Sequence, residues 1–294
     1  MEHQKRDRPT PSGTGSDTER EALWYGPDPG LSHLCPPPRN GVKVNGVRVD
    51  PCSPEALVDT IDSFLGCGRA HVVNFLAVDP IARSQGDAAY RALLNRAELN
   101  LADGLPVAWG ARLLGQSTLR MPGTDCFRLV AMWGLSRSLG HFLFGGGTDR
   151  DLERLENQLR LDLPSIRIAG SQSPPFRELS GAELDEAAER IRSSGTHALW
   201  IGLGTPKQHV VGQELRARDA APLIFCVGAA FDFISGAKRR APDWMQRSGL
   251  EWAHRLGSEP NRLWKRYLVG NPRFVAGYVR RLIIGTGRSD EAPR

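Results

Sequence analysis

No stretch of this 294-residue chain approaches the ~20 consecutive apolar residues that a helix needs to cross a bilayer. With a mean hydropathy of -0.35, that excludes an integral membrane protein built on spanning helices. Residues 1–26 hold no apolar segment that can act as the core of a secretory leader, so the chain is expected to remain in the cytoplasm. Cysteine is scarce. Cys35, Cys52, Cys67, Cys126 and Cys226 are odd in number and widely scattered, which argues against a disulfide framework or a CxxC metal site and predicts reduced thiols. His71, His141, His197, His209 and His254 show neither HExxH nor any other ligand spacing, so no metal and no cofactor is expected. GxxxxGK[ST] is absent, and GxGxxG with its following ribose-binding acid is absent too, which weighs against a nicotinamide-dependent oxidoreductase. The chain also lacks a helix-turn-helix, zinc or RNA-recognition signature, which leaves a nucleic-acid-binding module resting on charge alone. No repeat of solenoid length is visible.

What is present is a globular composition, 40% hydrophobic and 24% charged, with a net charge of +5. The charge is concentrated. Between Trp252 and Arg281 seven basic residues face one acid, Glu259. A basic segment of this kind can address a nucleic acid, an anionic membrane or a phosphorylated substrate.

Residues 1–40 carry seven prolines and four glycines with little apolar periodicity and are expected to form a disordered tail, as are residues 287–294. Order is predicted to begin at VKVNGVRV (Val42–Val49), whose Asn45-Gly46 pair suits a tight hairpin turn. A helix follows from Ser53, with Pro54 in its first turn. Compact apolar runs then alternate with amphipathic segments: strands at His71–Ala77, His141–Phe144, Ile166–Ala169, Ala198–Ile201 and Leu223–Val227, and helices at Ala89–Ala97, Cys126–Ser138, Asp151–Leu161, Gly181–Ser193 and His209–Leu215. This alternation predicts an α/β core over residues 41–240, a Rossmann-like parallel sheet with helices on both faces, with the small hairpin ahead of it. Residues 241–286, rich in Arg and Trp and broken by proline, predict a basic helical appendage. In its last helix Asn271 can cap, and Phe274, Val275, Tyr278, Val279, Leu282 and Ile283 fall on one stripe. Such a stripe serves either to pack on the core or to lie in a membrane interface.

Several residues can carry chemistry. Gly145-Gly146-Gly147 leaves a strand and precedes a helix, so its amides can hold a diphosphate or simply make a tight turn. Asp149-Arg150-Asp151 can hold a metal-bound diphosphate, but acids in the first turn of a helix are better explained as caps. Asp103, in ELNLADGLPVAWG, can act as a general base or form an Asp-Gly turn. Arg262 and Arg266 share a helix face with Arg255 one element earlier, and guanidiniums so grouped can neutralise phosphates.

In their order these segments resemble the WecG/TagA/CpsF family of bacterial glycosyltransferases over about Val42 to Leu282. The matching segments are the ADG around Asp103, FGG after the central strand, SPPF (Ser173–Phe176), IGLGTPKQ (Ile201–Gln208), VGAAFDFISG (Val227–Gly236), and RAPDWMQRSGLEWAHRL followed by EPNRLWKRYL. The resemblance implies metal-independent, inverting transfer of a sugar from a UDP-sugar to a polyprenyl-diphosphate-linked saccharide. It places the reaction at the inner leaflet of the cytoplasmic membrane, in cell-surface polysaccharide biosynthesis, with homo-oligomers possible. It implies that Asp103 is the base, that Asn74 lies on the acceptor side, and that Gly145, Gly146, Gly202, Gly204, Gln208, Asp232, Arg255, Arg262 and Arg266 contact the nucleotide sugar. The chain departs from the family pattern at Leu76, Ala77 and Val78, and at His209, where the pattern PKQE loses its carboxylate from the nucleotide edge. These departures leave a catalytically altered family member as an alternative.

Overall fold

The computed structural model describes residues 41–285, without the side chains of Arg262, Arg266 and residues 281–285. The two expected tails and Cys35 lie outside the described residues. Asn45 (φ 49°) and Gly46 (φ 87°) turn the hairpin of β1 (Val42–Val44) and β2 (Val47–Val49). Helix α1 (Pro54–Gly66) starts as its sequence dictates: the Ser53 hydroxyl accepts a hydrogen bond from the Ala56 amide and Leu57, Ile61 and Phe64 are buried.

A single six-stranded sheet follows, with the order β4-β3-β8-β7-β5-β6 and every pairing parallel. Its strands are β3 (His71–Leu76), β4 (Leu99–Ala102), β5 (Gly140–Gly145), β6 (Arg167–Gln172), β7 (Ala198–Gly202) and β8 (Leu223–Cys226). The helices between them are α2 (Val78–Ser84), α3 (Ala88–Asn95), α4 (Leu105–Leu113), α5 (Gly123–Gly134), α6 (Asp149–Asp162), α7 (Gly181–Ser193), α8 (Lys207–Arg216) and α9 (Ala230–Ile234). Period-two alternation sends Leu143, Trp200 and Phe225 to one face, where they pack with α1, α5, α6 and α9. It sends Phe142, Phe144, Leu199, Ile201 and Ile224 to the other face, against α7 and α8. Because both faces are covered, the central strands read as continuous apolar runs. Cys52, Cys67, Cys126 and Cys226 are buried.

The carboxyl edge of the sheet is where a crevice opens. After β5 the chain steps outward to β6, then returns to β7 on the opposite side of β5. Helix α6 leaves β5 toward one face while α8 leaves β7 toward the other, so the two loops diverge.

The appendage consists of α10 (Asp243–Arg247), α11 (Glu251–Ser258), α12 (Pro260–Leu268) and α13 (Gly270–Gly285). Helix α13 packs back on the hairpin, α2 and α4: Phe274 is buried, the Tyr278 hydroxyl donates to the Gly110 carbonyl at 3.0 Å, and Asn45 donates to the Phe274 carbonyl at 2.9 Å. The expected single stripe is therefore divided. Phe274 and Tyr278 face the core, whereas Val275 and Val279 are 56% and 46% exposed. The helix also begins at Gly270, one residue before the expected cap.

Candidate active site

A cleft of about 710 Å³ runs along the carboxyl edge, floored by the ends of β3, β5, β7 and β8 and roofed by the appendage. A smaller pocket of about 80 Å³ adjoins it between α2, α4 and α11. Asp79, Asp103, Glu251 and Arg255 line both, so the two spaces share one wall of charged groups.

Asp103 leaves β4 and is fixed from two directions. Its amide donates to the Leu76 carbonyl at 3.0 Å and its carbonyl accepts from Arg120 Nε at 2.7 Å, while Gly123, at the start of α5, lies close by. Burial pushes its carboxyl above the usual carboxylate range, and the nearby Glu251 charge pushes the same way. Arg120, Arg255 and the Gly123 amide pull it back. A carboxylate so placed is a stronger base than a solvated one.

The cations divide into paired and unpaired. Arg83 binds Asp79 at 3.0 Å, Lys238 binds Asp232 at 2.6 Å and Glu259 at 3.1 Å, and Arg240 binds Asp125 at 2.6 Å. Among the described residues lining the large cleft, Arg255 and Lys265 form no ion pair; each instead lies over an aromatic ring, Phe233 and Trp264 respectively. Among the described residues, these two are charges left open to an anionic ligand.

The glycine loops serve two purposes. A Cβ at Gly145 (φ 139°) would stand 2.6 Å from the Gly202 carbonyl oxygen, and one at Gly202 would stand 2.5 Å from the Phe231 ring. These two glycines let β5 and β7 close on each other and on α9. Gly146, Gly202 and Gly204 line the cleft, and Gly145 lies behind it. Gln208, buried in the first turn of α8, donates to the Cys226 carbonyl at 3.2 Å and also lines the cleft.

Asp103, Gly146, Gly202, Gly204, Gln208, Asp232 and Arg255 are thus brought together. Asn74 is not. It sits in mid-β3, 1% exposed, with its side-chain amide donating to Asn100 Oδ1 at 3.0 Å, and it lines neither cavity. In this structure Asn74 ties β3 to β4. Arg262 and Arg266 fall on α12, and their side chains lie outside the described residues. His209 is also corrected. It is buried with Nδ1 2.8 Å from the Tyr90 hydroxyl, and burial drives its pKa down to about 3, so this position faces the interior rather than the nucleotide edge. Of the other departures, Leu76 ends β3 and is fully buried, and Ala77 and Val78 line the smaller pocket; the same segment delivers Asp79 to both cavities. Asp151 completes a capping box with Thr148, the role its place in the first turn predicts. Among the described residues no group of three or more His, Cys, Asp or Glu side chains could hold a metal ion.

Sequence reasoning missed Arg120, Lys238, Arg240, Glu251 and Lys265. Four of them lie in or beside the basic C-terminal segments already singled out, but only the structure distinguishes cations that are paired from those left open.

A doubly wound α/β protein whose carboxyl-edge crevice combines glycine loops, one basic carboxylate and unpaired cations has the equipment of a group-transfer enzyme acting on a phosphorylated donor. Residues 42–287 match the model of the glycosyl transferase WecG/TagA/CpsF family, and the chain belongs to that family. Membership gives it a glycosyltransferase-like role in polysaccharide biosynthesis.

Proposed function

We propose that the protein transfers a sugar, with inversion, from a UDP-sugar to a saccharide carried on a polyprenyl diphosphate. The observation that carries this reading is the position of Asp103, on the wall shared by the large cleft and the small pocket, with Arg255 beside it. The nucleotide sugar lies along the glycine loops of the large cleft, and the acceptor sugar enters from the small pocket. Asp103 removes the proton from the acceptor hydroxyl as its oxygen attacks the anomeric carbon. The bond to UDP breaks on the opposite face, which inverts the configuration. The negative charge building on UDP is met by Arg255 and Lys265, with Arg262 and Arg266 on the same appendage as the resemblance implies. Guanidinium and ammonium groups supply that charge in place of a metal.

The lipid-linked acceptor requires the enzyme to work at a membrane surface. No helix among the described residues is long and apolar enough to span one. Trp264, Leu268, Val269, Val275 and Val279 are 45–60% exposed along α12 and α13, beside Lys265 and Arg280. An exposed apolar row edged with cations suits peripheral attachment to an anionic leaflet.

The test is a donor screen. Purified protein is incubated with a panel of UDP-sugars and a synthetic prenyl-diphosphate saccharide, with and without EDTA, and the product is examined for the mass of one added sugar. Transfer with one donor, undiminished by EDTA and abolished in Asp103→Asn, is expected. Undiminished transfer by Asp103→Asn rejects the base, and loss in EDTA rejects the metal-independent route.

A further inference from the structure

Phe176, in the SPPF segment, is 86% exposed, although it lies only a few residues beyond β6 of the sheet that fully buries Phe142 and Phe144. Single exposed apolar residues are common, but this one stands on an anchored loop. Ser173 Oγ donates to the Gly147 carbonyl at 3.0 Å, which ties the start of its loop to the turn after β5. Lys207 Nζ donates to the carbonyls on both sides of the ring, Pro175 at 2.7 Å and Arg177 at 2.6 Å. The Arg177 guanidinium then grips Glu183 with two bonds, at 2.7 and 2.8 Å, and so fixes the exit into α7. Three separate anchors thus hold the loop whose aromatic side chain lines the large cleft, as Gly146, Gly204 and Gln208 do.

Position along the crevice indicates what it meets. Phe176 follows β6 and Asp103 follows β4, which are the two edge strands of the sheet. Five strand spacings separate those edges, about 24 Å. A nucleotide sugar carries its reacting carbon at one end and its base at the other, so seating the anomeric carbon near Asp103 directs the base toward Phe176. The exposed apolar row of α12 and α13 is on the opposite side, since α13 packs against the hairpin and α2 near β4. A lipid engaged there does not reach this loop.

We propose that Phe176 is the stacking platform for the nucleobase of the donor, an inference that rests on the cleft taking a nucleotide sugar. Every base has a π face, and stacking on an exposed aromatic is a common means of gripping one. The pinned loop means the backbone that carries the ring need not be ordered on binding.

Full-length protein carrying Phe176→Ala or Phe176→Trp is compared with wild type by calorimetric titration with UDP and with inorganic pyrophosphate, which has no base. We expect Phe176→Ala to bind UDP roughly ten- to a hundredfold more weakly, with pyrophosphate affinity unchanged. Phe176→Trp should restore UDP binding, with quenching of indole fluorescence as UDP is added. Unchanged UDP affinity in Phe176→Ala overturns the proposal, as does an equal loss for pyrophosphate, which would mean the loop only supports the phosphate site. If wild type itself binds neither UDP nor another nucleoside diphosphate, the donor reading fails together with this one.

Discussion

Arg120 and Glu251 form a largely buried ion pair that fastens the appendage to the core immediately behind Asp103. Arg120 acts in two directions, since its Nε also donates to the Asp103 carbonyl at 2.7 Å. Docking of α11 and placement of Asp103 are therefore linked through one arginine. Glu251→Gln is expected to loosen both, with kcat reduced roughly tenfold to hundredfold, the cost of a misplaced reacting group. The acid limb of the kcat/KM profile should also move. Glu251 helps raise the Asp103 pKa, whereas Arg120 lowers it, so removing the first and freeing the second shifts the limb to lower pH. Of the other charges around this wall, Asp79 remains paired with Arg83 and Arg240 with Asp125, while Arg255 is unaltered. A profile that falls equally at all pH values would mean Glu251 does no more than hold the helix.

Replacing Asp103 should separate activity from stability. Its pKa is raised in the folded protein, so above the ordinary carboxylate range the ionised side chain is less comfortable folded than unfolded. Asp103→Asn removes that cost. We expect transfer to fall by about 10²–10⁴-fold, the usual contribution of a general base, while the melting temperature at pH 7 stays level or rises. The stability gain should vanish as pH drops below the carboxylate range, where the aspartate is neutral in both states. A markedly lower melting temperature at pH 7 would mean the carboxylate mainly supports structure.

Local chemistry in the sequence was enough to locate many elements. Asn45-Gly46, the Ser53-Pro54 start and the Gly181–Ser193 helix are all found where turn and capping rules put them. Strand β4 was harder, because its four residues run directly into the Asp103 turn. Helices α2 and α4 are short and owe their places to packing with the hairpin and α13. Motif order gathered most of the cleft, including Asp103, Gln208, Asp232 and Arg255. It did not foretell the Asn74–Asn100 bond, because a strand buried on both faces carries no signal for which side chains pair across it. The Arg120–Glu251 pair joins residues 131 positions apart, and no local pattern foretells such a partnership.

The division of α13 between core and solvent leads to a membrane test. Phe274 and Tyr278 hold the helix down and leave Val275 and Val279 outward. Val275→Glu with Val279→Glu should therefore leave the fold intact but weaken binding to anionic phospholipid vesicles about tenfold or more, through lost apolar burial and added like charge. Turnover of a long-chain prenyl acceptor should fall with it, and turnover of a water-soluble short-chain analogue should persist. Vesicle sedimentation and paired assays measure both. Binding that survives the double substitution places membrane contact elsewhere.

Three buried histidines set the response of the fold to acid. Burial lowers the pKa of His71 and His141 from 6.5 to about 4 and that of His209 to about 3. His141 Nδ1 accepts from the Trp200 indole at 3.0 Å, and His209 Nδ1 meets the Tyr90 hydroxyl, so both rings are used in the neutral form. When the protein unfolds near pH 5 all three imidazoles regain ordinary pKa values and take up protons. The unfolded state then binds more protons than the folded one, and stability must fall as pH drops from about 6.5 toward 5. Glu98 and Asp103, whose pKa values are raised, act in the opposite direction, because the folded protein protonates them before the unfolded chain does. Urea unfolding at pH 7, 6 and 5 should therefore show a stability decline set by the protons the three histidines take up on unfolding, less those Glu98 and Asp103 hold in the folded state. Stability that stays flat across this range would mean the rings are protonated, or reached by water, in the folded protein.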